Sequence, residues 1–342
     1  MTAVATKPGM LEYIKTIGVT NNGDNGRGFA NPYSIAINSV GNSYVINRCD
    51  PIRARAIRAS VQDFDENFLL EFSEGYGSGP GQFVLPVAVA FNSNDQLYIT
   101  DEHNNRVVVY DAKGKFLAQW GQAGSEAHEF DGPAGIAIDS FDNVYVADQG
   151  SNSIKKFTSD GEFVSHFGND GDVDGPGLNQ PWGVGIDNDD NIYVADWRND
   201  SVKKFASDGS CLETYGAKGD VRFNRPSGVA VDSEGYIYVT DWGNERLLVL
   251  TPDGRVYADE RGRATLSKWA IDYFSSNPDE TAVRDKANLI PDLPPEYAND
   301  PYHVSSQTEP YFWGPVAVTV DKEDRVYVVE SNRHRIQIYK RS

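Results

Sequence analysis

The chain is poor in cysteine and has no long apolar run. Its two cysteines, Cys49 and Cys211, fall in different copies of the repeat described below, so they imply no disulfide framework and tolerate a reducing compartment. Nowhere do about 18 apolar residues follow one another as a membrane span requires, and the first residues lack the apolar core of a secretory signal. We therefore expect a soluble, cytoplasmic protein.

Basic residues are also scarce, since 31 Lys and Arg stand against 50 Asp and Glu, which gives a formal net charge of −19. Nucleic acids and anionic membranes bind clustered Lys and Arg, so we expect neither as a partner. The sequence contains no G-x-S-x-G elbow and no phosphate-binding glycine loop with its lysine, which argues against a standard α/β hydrolase or nucleotide enzyme.

What the chain does contain is a repeated unit, clearest between Phe223 and Gly254. Three short apolar runs, GVAVD, YIYVTD and RLLVL, are separated by polar turns and predict three strands. A weaker fourth strand follows the Asp-Gly turn in other copies. It is visible in the segments Gly114–Gly121, Gly161–Gly168 and Gly209–Gly216.

A proline opens the innermost strand of each copy: Pro32, Pro86, Pro133, Pro181, Pro226 and Pro315. Copies about 45 to 50 residues apart, with several strands each, are typical of a propeller. The sequence therefore predicts an all-β, six-bladed propeller of four-stranded blades that forms one domain over residues 1–342. The last copy lacks a fourth strand, and Leu11–Gly18 has the missing pattern, so we expect the N-terminal strand to complete blade six and remove an open sheet edge.

The pattern P-x-G-V-A-V-D, G-x-I-Y-V-T-D and N-x-R resembles the NHL-repeat family of six-bladed propellers. The resemblance covers nearly the whole chain and is specific in blades two to five. Asn47 in blade one and Glu330 in blade six replace the aspartate that ends the second strand elsewhere. The resemblance implies a structural role for the repeated acids, and it leaves the function open because one fold hosts many chemistries.

An insertion at residues 258–312 interrupts the repeat before blade six. The corresponding connections between neighbouring blades have about ten residues. Part of it has helical spacing and would end at Ser276-Asn277-Pro278. The residues that carry this spacing are Leu266, Trp269, Ala270, Tyr273 and Phe274. We expect the insertion to act as a lid over the mouth of the central channel and to exclude water from a site there.

The candidate catalytic residues are Arg48, Glu102, His103 and Tyr33. Arg48 follows a strand end in blade one, where a guanidinium would hold a carboxylate or stabilise an oxyanion; a surface ion pair with Asp50 or Glu102 is the alternative. His103 beside Glu102 would serve as a general base, the alternative being a solvated loop histidine. Tyr33 would be a second acid.

Further candidates for substrate binding map to the same face of the propeller. The tryptophans among them stand outside the alternating strand pattern, so they would line an apolar pocket or pack beneath the insertion. Glu330 and His334 lie in a blade-six loop that flanks blade one. The full set is Trp182, Trp197, Arg198, Arg225, Trp242, Trp313, Glu330 and His334.

The placement of Arg48 is similar to that of the catalytic arginine of the peptidyl-α-hydroxyglycine amidating lyases, which belong to the same family. Those lyases hold zinc with histidines near the starts of inner strands, where this chain has no zinc ligand, so we predict no metal and no cofactor. Asp170, Asp172, Asp174 and Gly175 resemble the start of a calcium loop. Pro181 stands where the closing glutamate belongs, and a solvated acidic turn is the alternative to calcium.

These observations favour a small-molecule enzyme, a lyase, hydrolase or isomerase, with a site at the lid-covered face of the channel and an organic, anionic substrate. The alternative is a protein-interaction propeller without catalytic activity. The sequence does not fix the substrate, the reaction or the oligomeric state.

Overall fold

The structure is a computed structural model that describes residues 10–20, 26–48, 57–168, 176–216 and 221–342. Six four-stranded antiparallel sheets follow one another around a central channel, as the spacing of the prolines predicts. Each anchoring proline is the first residue of an inner strand. These strands are β2 (Pro32–Ile37), β6 (Pro86–Phe91), β10 (Pro133–Ile138), β14 (Pro181–Ile186), β18 (Pro226–Val231) and β22 (Pro315–Val320).

The second and third strands of each blade are the apolar runs recognised in the sequence, and nearly all their residues are buried. The second strands are β3 (Ser43–Asn47), β7 (Leu97–Asp101), β11 (Val144–Asp148), β15 (Ile192–Asp196), β19 (Ile237–Asp241) and β23 (Arg325–Glu330). The third strands are β4 (Arg58–Gln62), β8 (Arg106–Tyr110), β12 (Ser153–Phe157), β16 (Ser201–Phe205), β20 (Arg246–Leu250) and β24 (Arg335–Arg341).

The outer strands are more polar and partly exposed. In the first five blades they are β5 (Phe68–Phe72), β9 (Phe116–Trp120), β13 (Phe163–Phe167), β17 (Cys211–Tyr215) and β21 (Val256–Glu260). Blade six is completed by β1 (Leu11–Ile17), which pairs antiparallel with β24 from Leu11 opposite Arg341 to Ile17 opposite Ile336. The predicted closure by the N-terminal strand is therefore confirmed.

Adjacent blades are held together by apolar clusters, one at each joint of the ring. The joint between blades two and three, for example, packs Tyr98 and Val107 against Phe130 and Ile136. Inner strands approach very closely where glycine replaces a side chain, since a Cβ at Gly135 would lie 2.3 Å from the carbonyl oxygen of Trp182. Such close approach gives this joint, between blades three and four, the packing density of a protein interior.

The two faces of the disc carry different loops. We call mouth face the side with the loops that enter the inner strands and the loops between second and third strands. The opposite turn face carries the turns between first and second strands. There, a serine amide often donates to an aspartate of the next blade, as in Ser39 to Asp95 at 2.9 Å and Ser93 to Asp142 at 2.8 Å.

The insertion contains three short helices, α1 (Lys268–Ser276), α2 (Pro278–Arg284) and α3 (Pro301–Gln307). The predicted helix is α1, with Ser267 as its N-cap and with Trp269 and Ala270 buried. The Trp269 indole packs on Phe29, with ring centroids 5.8 Å apart, and donates to the carbonyl of Glu66 at 2.6 Å. Since Phe29 precedes blade one and Glu66 belongs to it, α1 lies against the rim where blades six and one meet.

The remainder of the insertion lies over blades five and six. Helix α3 contacts the turn Trp242–Asn244, and Arg333 donates to the carbonyls of Ser305 and Thr308. No residue of the insertion lines the channel, whose lining comes from the six inner strands and the turns that follow them. The structure therefore places the insertion beside the channel mouth, and it does not enclose the channel as a lid would.

Within the described part of the chain, no helix has the length and apolarity to cross a membrane.

Closure through β1 makes a direct prediction for stability. Ile17 is 3% exposed and its removal leaves a cavity at the last joint, so Ile17→Ala should lower the free energy of unfolding by about 2 to 5 kcal/mol. Glu12→Ala on the same strand changes an exposed side chain and should cost less than about 0.5 kcal/mol. Urea unfolding followed by tryptophan fluorescence measures both variants. Equal effects would show that β1 does not hold the ring closed.

Candidate functional site

The inner strands surround a cavity of about 510 Å³ that follows the propeller axis. Each inner strand is a sheet edge, so its unpaired backbone N–H and C=O groups face this channel. The lining extends from Tyr33 and Trp182 at the mouth face to Ser39, Ser93 and Lys322 at the turn face. The channel wall is thus largely main chain, and side-chain chemistry concentrates at its ends.

The acids that end the second strands hold the loops of the mouth face. Asp148, Asp196 and Asp241 are completely buried, and each accepts the backbone N–H that lies two residues before an inner-strand proline, at 2.7 Å. Asp101 accepts from the equivalent donor, Val84 N, at 3.2 Å and also from Leu85 N at 2.9 Å. The repeated acids are therefore structural, because a buried carboxylate that accepts backbone N–H groups fixes the loop that donates them.

Asn47 and Glu330 fill the same role in the two divergent blades. Asn47 accepts from Ala30 N at 2.8 Å, and Glu330 accepts from Trp313 N at 3.1 Å. Glu330 has no exposed surface and its carboxylate also pairs with Arg335 at 2.7 Å. This corrects the expectation for Glu330, since a fully engaged, buried carboxylate offers nothing to a substrate.

A second set of side chains joins neighbouring blades, and we call these contacts staples. In five blades, the residue directly before the third strand has φ near +50°. Its side chain accepts a hydrogen bond from a backbone N–H of the following blade, that of the residue directly before the inner-strand proline. The acceptors are Asn105, Asn152, Asp200, Glu245 and His334. In the same order, their donors are the backbone N–H groups of Gly132, Gln180, Arg225, Gly314 and Asn31, at 2.7 to 2.9 Å. Five of the six joints are thus linked by the same kind of hydrogen bond.

His334 is therefore a staple between blades six and one, and its Nδ1 accepts at 2.8 Å. Sequence reasoning placed it among substrate-binding residues. A signal for the structural role was available, because Asn, Asp, Glu and His at this repeat position have in common only a hydrogen-bond acceptor.

The joint between blades one and two is the exception. The residue before β4 is Ile57, which is buried and apolar and has no side-chain acceptor. Instead, Nη2 of Arg48 in blade one lies 2.7 Å from Oε2 of Glu102 in blade two. Both side chains are largely buried, at 17% and 26% exposure. The ion pair between Arg48 and Glu102 was an alternative considered from the sequence, and the structure contains it.

Arg48 also lies over the ring of Tyr33, with its guanidinium carbon 4.6 Å from the ring centroid. Its Nη1 is buried and has no hydrogen-bond partner among the described residues. Burial raises the pKa of the Tyr33 phenol, and the charge of Arg48 opposes that rise only in part. The phenol is therefore protonated at neutral pH and is available as a hydrogen-bond donor or an acid.

The Tyr33 ring faces Trp182 across the channel, with centroids 6.3 Å apart. Blade one, which carries Tyr33, is opposite blade four, which carries Trp182, so the two rings narrow the mouth. The structure thus brings Arg48, Glu102, Tyr33 and Trp182 into one continuous set of contacts. Three of the four candidate catalytic residues belong to it.

His103 does not join this set. It is exposed, and no described side chain lies within hydrogen-bond distance of its imidazole. The paired acid and base expected from Glu102 and His103 is therefore not assembled, because the Glu102 carboxylate turns toward Arg48.

The remaining aromatic candidates divide between the mouth and the insertion. Trp197 occupies the position in blade four that Arg48 holds in blade one, and the guanidinium of Arg225 lies 5.0 Å and that of Arg198 5.9 Å from its ring. The turn that begins with Trp242 contacts α3. Trp313 packs on Tyr302 of α3, with centroids 5.9 Å apart. Trp313 thus lies under the insertion, as one of the two sequence-based interpretations proposed.

The described part of the chain contains no group of three metal-ligating side chains. The candidate calcium ligands Asp170, Asp172 and Asp174 lie outside the described residues, so the choice between a solvated acidic turn and a calcium loop stays open.

Comparisons of sequence agree with the repeat architecture. A family described as a 6-bladed beta-propeller matches residues 88–174, and the NHL repeat matches residues 178–205, 223–250 and 312–339. NHL repeat-containing protein 3 of Homo sapiens is 29% identical over 118 residues, and its counterpart in Mus musculus is 28% identical over the same length. Each match covers 34% of this chain and spans 33% of the relative.

Solved structures share the fold at low identity. A streptogramin B lyase aligns over 98% of this chain and 100% of its own, with a TM-score of 0.56 and 14% identity. A catalytically inactive virginiamycin B lyase from Staphylococcus aureus with quinupristin aligns over 95% and 87%, with a TM-score of 0.55 and 14% identity. A protein of unknown function from Bacteroides thetaiotaomicron aligns over 95% and 75%, with a TM-score of 0.62 and 18% identity.

One staple makes the stability of the ring depend on pH. Burial raises the pKa of Glu245 to about 7. Because the folded state then binds its proton more tightly than the unfolded chain, this stabilisation is complete below pH about 4.5 and is lost as the pH rises to about 7. Glu245→Gln keeps an acceptor for Gly314 and has no charge. It should match the wild type near pH 4.5 and be more stable above pH 7, by up to about 3 kcal/mol.

Thermal unfolding of both proteins across this pH range measures the effect. Other buried acids titrate in both proteins, so the difference between the two profiles isolates Glu245. Profiles that stay parallel would show that folding does not raise the pKa of Glu245.

Proposed function

This chain is a six-bladed β-propeller with NHL repeats, and we propose that it binds a small organic anion at the Arg48 end of its channel and acts on it as a lyase. The observation that carries the proposal is the state of the Arg48 guanidinium. It is largely buried, stacks on Tyr33, and leaves Nη1 without a partner among the described residues.

A buried guanidinium with an unused N–H edge is suited to a carboxylate. Arginine binds carboxylates through two parallel hydrogen bonds, and a buried donor without an acceptor is costly to maintain. The excess of acidic residues, with a net charge of −19, makes a buried cation at a channel mouth informative, since the surrounding field favours cations over anions. Anion binding here therefore depends on this local contact.

The aromatic side chains at the channel mouth indicate the chemical character of the rest of the ligand. Trp182 faces Tyr33 at 6.3 Å, and Trp197 belongs to the same blade as Trp182. Flat apolar groups gain from contact with such rings beyond the area they bury. A carboxylate attached to a ring or a planar apolar group would contact both Arg48 and these aromatic rings.

The same groups support an elimination. Arg48 would stabilise negative charge on a carbonyl or carboxylate next to the carbon that loses a proton. Glu102, freed from Arg48 by the ligand, would take that proton, and the protonated Tyr33 would give one to the departing group. The structural neighbours named as lyases share the fold, and they make elimination the first reaction to test.

Binding is tested with phenylacetate and its neutral counterpart phenylacetamide. Phenylacetate should bind with an affinity at least about tenfold higher, or about 1.4 kcal/mol, and Arg48→Gln should remove that preference. Arg255→Gln is the matched control, because Arg255 is exposed and remote from the mouth face. Calorimetry gives each affinity. Equal binding of the two ligands to the wild type would contradict an anion site at Arg48.

Catalysis is tested by incubating the protein with a library of aryl and acyl carboxylates in water enriched in heavy oxygen, followed by mass spectrometry. The wild type should convert at least one compound to products without isotope, since an elimination adds no water, while Tyr33→Phe should slow conversion by about 100-fold or more. Isotope in the product would indicate a hydrolase. No conversion, together with stoichiometric capture of a protein across the mouth face, would favour an interaction module.

A further inference from the structure

We propose that Glu102 is a built-in competitor for the ligand at Arg48, so that the mouth is self-inhibited until a carboxylate displaces it. The inference rests on the proposed anion site and adds a regulatory element to it. Its starting point is that the protein already holds a carboxylate where the ligand's carboxylate would bind, at 2.7 Å from Nη2.

The repeat shows that the Glu102 carboxylate is not needed to build the loop. The same position carries Gln149 in blade three, Trp197 in blade four and Ser331 in blade six. What most blades share is a backbone contact, in which Glu102 N donates to Leu85 O at 2.9 Å and Ser331 N donates to Gly314 O at 3.0 Å. The carboxylate is therefore available for a role that belongs to this blade alone.

The contact that Glu102 makes with Arg48 is incomplete. One oxygen meets one nitrogen, and Nη1 stays buried without a partner among the described residues. A free carboxylate able to engage Nη1 and Nη2 together would make two charge-assisted hydrogen bonds where Glu102 makes one. At 26% exposure, Glu102 has a path to solvent along which it can leave.

Displacement would also have a structural consequence. On the mouth face, five joints keep a staple, whereas the joint between blades one and two is linked by the Arg48 to Glu102 pair in the described part of the chain. A ligand that removes this pair therefore loosens one joint and leaves the others unchanged. The turn face of the joint keeps its link from Ser39 to Asp95 at 2.9 Å, so the ring does not open.

The test compares phenylacetate binding to the wild type and to Glu102→Gln by calorimetry. Glutamine keeps the size and the backbone contact but cannot pair as an anion, so binding should tighten by about fivefold to tenfold. Phenylacetamide should bind both proteins equally. Asn105→Ala is the matched control, because it removes a staple at the next joint and should leave phenylacetate affinity unchanged while lowering the thermal midpoint.

Hydrogen exchange supplies an independent readout. Phenylacetate should speed exchange of the backbone amides of Arg48 and Glu102 in the wild type and leave the amides of Gly132 and Gln180 unaffected. In Glu102→Gln, exchange at Arg48 should be fast before any ligand is added.

The outcomes separate this inference from the proposed function. Phenylacetate binding that depends on Arg48 but is unchanged or weakened in Glu102→Gln would overturn the competitor role and leave the anion site intact. Binding to Glu102→Gln but not to the wild type would support self-inhibition in its strongest form. Absence of binding to both proteins would overturn the anion site and the competitor together.

Discussion

The architecture depends on the pairing of β1 with β24, through which the start of the chain completes the last blade. This pairing gives blade six its fourth strand, so that all six blades have four strands. Radial symmetry then gathers equivalent positions from six distant segments at one end of the channel. Arg48 and Trp182 are more than a hundred positions apart in the sequence, yet the Tyr33 ring contacts both. The candidate site exists because the ring closes.

Within this ring, the proposed site coincides with a departure from the symmetry of the repeat. The second-strand ends keep a buried acceptor in every blade, and five joints keep a staple, although the residue types change. At the joint of blades one and two the staple position holds Ile57, and a charged pair takes over the link. The proposed exchange for a ligand would take place at this joint, where the link is a charged, partly exposed pair and not a staple.

The fold was predictable from the sequence because its determinants are local. Prolines at strand starts, alternating apolar runs and Asp-Gly turns define each blade, and the helical spacing around Trp269 predicted α1. The convergence of Arg48, Tyr33 and Trp182 followed from the repeat register alone. The roles of Glu330 and His334 did not, since they depend on hydrogen bonds to segments that are distant in sequence, such as Asn31 N to His334. The path of the insertion was equally hidden, because tertiary contacts of Lys268 and Trp269 with the distant turn around Glu66 hold α1 at the rim.

We propose that Arg48 exchanges an internal carboxylate for an external one. The most direct measurement is a crystal structure of the wild-type protein with phenylacetate, compared with one grown without it. We expect the ligand carboxylate on both Nη1 and Nη2 of Arg48, the phenyl ring against Trp182, and the Glu102 side chain turned to solvent. A ligand bound elsewhere, with Glu102 still on Arg48, would contradict it.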